Sequence, residues 1–248
     1  MTRILCFVGI ALLAALLPAS GNSFTAQASD AVFLLYWMNA QGNQSFSCTA
    51  TAFARQDNTY KFLTAAHCLG SDRRDKELSA DTSKDVYFLS FDETDGPKRF
   101  WPATPVFVGY QSRTDDFAIF EVTSTEDWPT VPLGDERDLE SGASYWNIAA
   151  PLGLGKQIQE GTIANLSLDR PVVQGDINWR GTLVLQQTGV NGGSSGSALI
   201  SKDTQKIVGV LVGSIGQSTI VAVPVSRVTQ ALDDAANGVY PWYRPEER

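Results

Sequence analysis

The sequence predicts an all-β protein built as two consecutive six-stranded antiparallel β-barrels with a C-terminal helix. Three observations lead there. Short runs of β-branched and aromatic residues recur between Gly, Pro, Asn and Asp punctuation. Helical periodicity is nearly missing outside one C-terminal stretch. An acidic, polar segment around residues 123–144, carrying Pro129, Pro132, Gly134 and Gly142, divides the runs into two sets of six.

The elements follow in order along the chain. Residues 1–28 read as a secretory leader: Arg3 supplies the positive start, Ile4–Leu17 the apolar run and Ala26-Gln27-Ala28 a small-x-small cleavage site, with Ala19-Ser20-Gly21 as a competing one. The mature chain then begins near Ser29. The run stops at Pro18, short of the roughly 20 apolar residues a membrane span needs, and no later segment is apolar enough to cross. Expected strands of the first barrel, residues 29–125, are Val32–Met38, Ser47–Ala54, Lys61–Thr64, Val86–Phe91, Val106–Tyr110 and Phe117–Val122. After a linker at 126–143, the second barrel, residues 144–248, is expected to use Tyr145–Ala149, Gln159–Leu168, Thr182–Gln187, Ala198–Ser201, Ile207–Val212 and Thr219–Val223. The helix is placed at 226–237, where Val228, Ala231, Leu232 and Ala235 share a face and Gly238 can end it.

Composition narrows the class of function. With 43% hydrophobic and 19% charged residues, the chain has the apolar content to fold. A net charge of −8 makes its surface repel phosphate backbones and anionic headgroups, so nucleic acid is not expected as a partner. Of three cysteines, Cys6 lies in the leader, which leaves Cys48 and Cys68 as an even pair suited to a disulfide in an oxidising compartment. The expected location is therefore secreted or periplasmic. No four-cysteine zinc pattern exists, and neither a metal nor a cofactor is expected.

Three segments carry chemistry. Phe62-Leu63-Thr64-Ala65-Ala66-His67-Cys68 ends an apolar strand in the chain's single histidine, beside one of the two mature cysteines. Asp116-Phe117-Ala118-Ile119-Phe120 leads an acid into a buried strand, and a buried carboxylate needs partners. Asn191-Gly192-Gly193-Ser194-Ser195-Gly196-Ser197 sets serines among glycines ahead of an apolar strand, leaving the backbone free to present its N–H groups. The same residues also satisfy Gly-x-Ser-x-Gly, the nucleophile elbow of α/β-hydrolases, which would make Ser194 the nucleophile of an esterase. That fold needs a histidine after the serine, and none follows His67. A two-histidine zinc site is likewise impossible.

Thr-Ala-Ala-His-Cys, the Asp-x-Ala run and Gly-x-Ser-Gly together resemble the motifs of the chymotrypsin/trypsin-like serine proteases, in the form of bacterial members. The resemblance spans essentially the mature chain. It implies a chymotrypsin-like fold and a triad of His67, Asp116 and Ser195. His67 would transfer protons, Asp116 would hold its tautomer, and the amides of Gly193 and Ser195 would form the oxyanion hole. It favours Asp116 over Asp115, which is read as an ordinary turn aspartate, and it pairs Cys68 with a cysteine where Cys48 stands. Ile207–Gly213 resembles the strand on which relatives pair an extended substrate, and Ile220–Pro224 a pocket wall.

The substrate implied is a peptide or protein. The pocket floor in the family is set largely by the residue six before the nucleophile, here Gly189, next to Val190. Neither offers a carboxylate, so small or medium apolar residues are the expected preference unless Asp176 or Arg227 brings in a charge. Two departures bear on activation: Ser194 stands where zymogen-activated relatives have an aspartate, and no Ile-Val-Gly-Gly start follows the leader. The expected enzyme is competent once folded and exported. The rival readings are a catalytically silent binding protein on the same fold and, less favoured, the esterase. The sequence leaves the oligomeric state open.

Overall fold

A computed structural model describes residues 21–38, 44–69, 86–91, 99–109, 115–168, 173–174, 177–178, 181–215 and 218–239. The apolar run of the leader, Tyr110 and Asp176 lie outside the described residues. Strands β1 (Val32–Met38), β2 (Gln44–Gln56), β3 (Thr59–Thr64), β4 (Val86–Ser90), β5 (Phe100–Val108) and β6 (Ala118–Thr123) close the first barrel in the order β1-β2-β3-β6-β5-β4. The second half contributes β7 (Ser144–Ala149), β8 (Gln157–Asn165), a two-stranded hairpin β9 (Val173–Gln174) and β10 (Ile177–Asn178), then β11 (Leu183–Gln186), β12 (Ala198–Ser201), β13 (Ile207–Ile215) and β14 (Thr219–Pro224). Its barrel closes as β11-β14-β13-β12-β7-β8. All pairings within both barrels are antiparallel. Closure leaves neither barrel an unpaired edge.

Burial shows why the strands stay in register. In β1 both faces are covered: Phe33 and Leu35 join the large hydrophobic cluster, while Leu34 and Tyr36 pack with Ala150 of the other barrel. The large cluster continues across the barrel interface into Ile148, Ile200, Val210, Val212 and Val223, and reaches Val228 and Ala231 of the closing helix. The interior of the second barrel is a separate cluster of Ile163, Leu183, Leu185, Leu199, Val208, Leu211 and Ile220 around Tyr145. In a strand with one covered face, such as β11, where Leu183 and Leu185 are buried and Gln186 is exposed, a slip of one residue would turn the apolar set the wrong way.

The closing helix, α2 (Val225–Ala236), starts one residue before its expected place and ends in a Schellman motif. Gly238, at φ +74°, donates its N–H to the Ala235 carbonyl, and the Val239 N–H reaches Asp234 O. A left-handed residue is needed there, and glycine takes that conformation without a Cβ penalty.

Three expectations need correction. A second helix, α1 (Gly21–Asp30), precedes β1, and its Ala28 is 1% exposed. Its Phe24 ring packs 5.6 Å from Trp146 of β7. Strand β5 begins at Phe100 rather than Val106, because Pro102 and Pro105 are accommodated in the ladder with a register shift after Pro105. The β9/β10 hairpin was not expected at all. The linker is a strap held on both sides: Val131 N–H donates to Ala52 O in β2, Gly134 N–H to Ile207 O in β13, and Ile207 N–H back to Pro132 O. No helix among the described residues is long and apolar enough to cross a membrane.

Candidate active site

His67 sits in a short 3-10 turn, Ala66–Leu69, immediately after β3. The turn is pinned by a Cys48–Cys68 disulfide with Cα atoms 5.9 Å apart, which ties it to β2. Cys48, His67 and Cys68 gather three groups of metal-ligand type, but both sulfurs are spent in that bond. Asp116, 3% exposed, stands just before β6, the strand paired with β3. One of its oxygens, Oδ1, accepts the His67 backbone N–H at 2.8 Å, and the other, Oδ2, lies 2.7 Å from Nδ1. A carboxylate accepts, so Nδ1 carries the proton and Nε2 is left with a lone pair. Burial lowers the imidazole pKa, but the charge of Asp116 and its hydrogen bond outweigh that, and the net shift is upward from 6.5.

Asp115 is not the ordinary turn residue expected. It is 1% exposed and accepts a hydrogen bond from Arg227 Nε at 2.8 Å, with Nη2 at 2.5 Å, so helix α2 of the second barrel grips the residue next to Asp116. The Asp115 side chain is 2% exposed and that of Arg227 43%, so a buried carboxylate is held by a guanidinium that reaches the surface. Arg227 is engaged here, in an ion pair with Asp115.

The glycine–serine loop is fixed carbonyl by carbonyl. Gly192 O accepts Leu152 N–H at 2.6 Å, and Gly193 O accepts the Thr49 hydroxyl at 2.8 Å. Ser194 O takes both the N–H and, at 2.7 Å, the hydroxyl of Ser197, and Ser195 O takes Thr49 N–H at 2.9 Å. Across a trans peptide the C=O and the next N–H point opposite ways. Holding Gly192 O and Ser194 O therefore aims the N–H groups of Gly193 and Ser195 away from those anchors. Gly193 itself is at φ +94°. A Cβ on Gly196 would collide with Thr64 Oγ1, Thr49 O and the Ala65 amide, so the loop is docked against the end of β3, just ahead of His67.

The two serines of the loop differ. Ser194 is 0% exposed and its Oγ accepts Asn191 N–H at 3.3 Å, whereas Ser195 is partly exposed. The loop runs into strand β12 rather than a helix, so the α/β-hydrolase elbow lacks its context. Gly189 is exposed at φ +82°, with its carbonyl accepting Gln159 Nε2 at 2.9 Å, and Val190 packs partly buried against the second-barrel core. Sequence reading missed Thr49, Leu152 and the Asp115–Arg227 pair. Only Thr49 had a sequence signal, its place beside Cys48.

Two closed barrels, one bearing a histidine–carboxylate pair and the other a loop of aimed amides docked beside it, define the class of two-barrel peptidases. A family model described as a trypsin-like peptidase domain matches residues 48–210, well over half of the chain, and the chain belongs to that family. Its substrates are accordingly peptides or proteins. No match to a curated protein is found.

Proposed function

We propose that the chain is a secreted serine endopeptidase that hydrolyses peptide bonds through an acyl-enzyme on Ser195. The observation that carries this reading is the 2.7 Å contact of His67 Nδ1 with Asp116, which leaves Nε2 as the base, beside a serine loop docked on β3. Ser195 Oγ attacks the carbonyl carbon while its proton passes to Nε2. The C–N bond then breaks as Nε2 returns that proton to the leaving amine, and water repeats the sequence to free the acid. The oxyanion is held by the amides of Gly193 and Ser195, donors each worth about 2.7–4 kcal/mol. Asp116 keeps the tautomer and offsets the imidazolium charge.

Preference for small or medium apolar residues is part of the proposal, since the group on Gly189 is the uncharged amide of Gln159. Export is supported by the leader pattern together with the formed disulfide. Helix α1 favours the upstream cleavage site: a cut after Ala28 would remove a core residue, its carbonyl bond to Ala31 N–H and the Phe24–Trp146 contact. The test is covalent labelling with a fluorophosphonate and peptide mapping. The label is expected on Ser195, with Ser195→Ala losing both label and hydrolysis and Ser194→Ala keeping much of each. A wild-type protein that takes no label and cleaves no peptide library is the silent binding protein instead.

A further inference from the structure

We propose that Thr49 is a positioning residue for the oxyanion hole, a role that rests on the peptidase reading above. Thr49 lies on β2 of the first barrel, 0% exposed, yet two of the three residues it bonds in the opposite barrel belong to the proposed hole. Its N–H donates to Ser195 O at 2.9 Å and its hydroxyl to Gly193 O at 2.8 Å. The same hydroxyl accepts Ala150 N–H at 3.0 Å, and its carbonyl accepts Thr64 Oγ1 at 2.8 Å. A hydroxyl can donate once and still accept, and here it does both.

The Ala150 bond carries the argument further. Ala150 begins a tight turn in which Leu152 is held at φ +56°, a left-handed conformation that an ordinary side chain seldom adopts. Leu152 N–H is the group that pins Gly192 O and so aims Gly193 N–H. The Thr49 hydroxyl thus locks two loops into one register: the turn at 150–152, which points the first amide, and the loop at 192–195, which contains both. Strand β2 can serve as the reference because the disulfide beside Thr49 and the Thr64 bond tie it to the turn that carries His67. Base and oxyanion donors are then indexed to one residue.

Thr51 supplies an internal control. It lies on the same face of β2, one pleat along, and is also 0% exposed, but its hydroxyl has no hydrogen-bond partner among the described residues. The experiment compares Thr49→Val, Thr49→Ser and Thr51→Val in the full chain. End-point fluorophosphonate stoichiometry counts competent sites, and kcat, KM and the Kd of a peptide boronate are expressed per labelled site. For Thr49→Val, kcat should fall about 10- to 100-fold, less than the full loss of a donor, with KM within about threefold. Boronate affinity should weaken in parallel, because the tetrahedral adduct uses the same amides. Thr49→Ser should recover most of the loss, and Thr51→Val should match wild type. A merely structural role would lower the labelled fraction and melting temperature without changing kcat per site. That pattern, or equal damage from Thr49→Ser and Thr49→Val, would overturn the proposal while leaving the peptidase intact. Wild-type protein that takes no label would overturn the peptidase reading and this role together.

Discussion

The first barrel is filled with rings. Phe33 packs against Phe62, Phe91, Trp101 and Trp128 at centroid distances of 4.8–6.0 Å, and Trp128 touches Tyr60 as well. The second has an aliphatic interior crossed by a chain of buried hydrogen bonds. It runs from Tyr145 OH to Gln187 Oε1, from Gln187 Nε2 to Asn147 Oδ1, from Asn147 Nδ2 to Ser197 Oγ, and from Ser197 Oγ to Ser194 O. Burial also pushes the Tyr145 pKa well up, consistent with a phenol that stays neutral and donates. Apolar contact has no direction, so the ring cluster contributes stability without fixing an angle. Hydrogen bonds are directional, and this chain ends on the carbonyl whose peptide carries the Ser195 N–H. The barrel that supplies His67 supplements its core with a covalent staple, whereas the barrel that supplies the amides uses polar geometry.

The largest effect expected from breaking this contrast is on stability. Trp128→Ala empties the middle of the ring cluster and should cost about 3–5 kcal/mol. Its indole and backbone N–H partners, Glu126 and Tyr60, are lost or disturbed too. Urea titration measures the cost, and kcat per labelled site at low temperature should hardly move, because the rings in contact with Trp128, those of Phe33, Tyr60, Phe62 and Trp101, are not those of site residues. A tenfold drop in kcat per site would show that the aromatic core sets geometry as the polar chain does.

Next in size is reduction of Cys48–Cys68. The bridge closes a loop of sequence separation 20, for which chain-entropy estimates give about 3 kcal/mol. Here stability and activity should fall together, since the staple holds the turn bearing His67 and adjoins Thr49. Thermal melts and hydrolysis with and without a phosphine reductant check it. Unchanged kcat in the reduced, still folded protein would refute the coupling.

How much of this could be read beforehand follows from where each signal lies. Strands with alternating or continuous apolar runs, such as Val32–Met38 and Ala198–Ser201, were legible because their burial is written locally. Strand β5 was half hidden, since Pro102 and Pro105 read as breakers until the barrel supplies neighbours on both sides. Helix α1 was missed because its Gly, Ser and Ala residues suit a leader's end, and only Phe24 and Ala28 reveal packing. Asp115 looked like a turn residue because its partner, Arg227, lies 112 positions away. The His67–Asp116 pair spans 49 positions, yet both partners stand in motifs that resemblance could match. Thr49 stands beside a motif cysteine, but its bonds to Ser195 and Gly193 exist only once the barrels meet.

The smallest predicted effect is a displaced titration, and it concerns the one site residue whose charge changes near neutral pH. In the first barrel, burial works against the imidazolium while Asp116 works for it, and Asp116 prevails, so the His67 pKa in the folded protein is raised above 6.5. The native state then holds its proton more tightly than the unfolded chain does. The resulting stability is fully present below about pH 6.5 and is lost as pH rises through the folded pKa. Activity runs the other way, because the base must be neutral: kcat/KM should fall on acidification with its midpoint above 6.5. Since the chain has a single histidine, one imidazole proton resonance reports the same group without assignment. Titration by NMR should place wild type above about 6.5, and Asp116→Asn, with burial left unopposed, below it. A midpoint that stays put in Asp116→Asn would mean that the carboxylate does not set the pKa of the base, and that the first barrel orients His67 without tuning it.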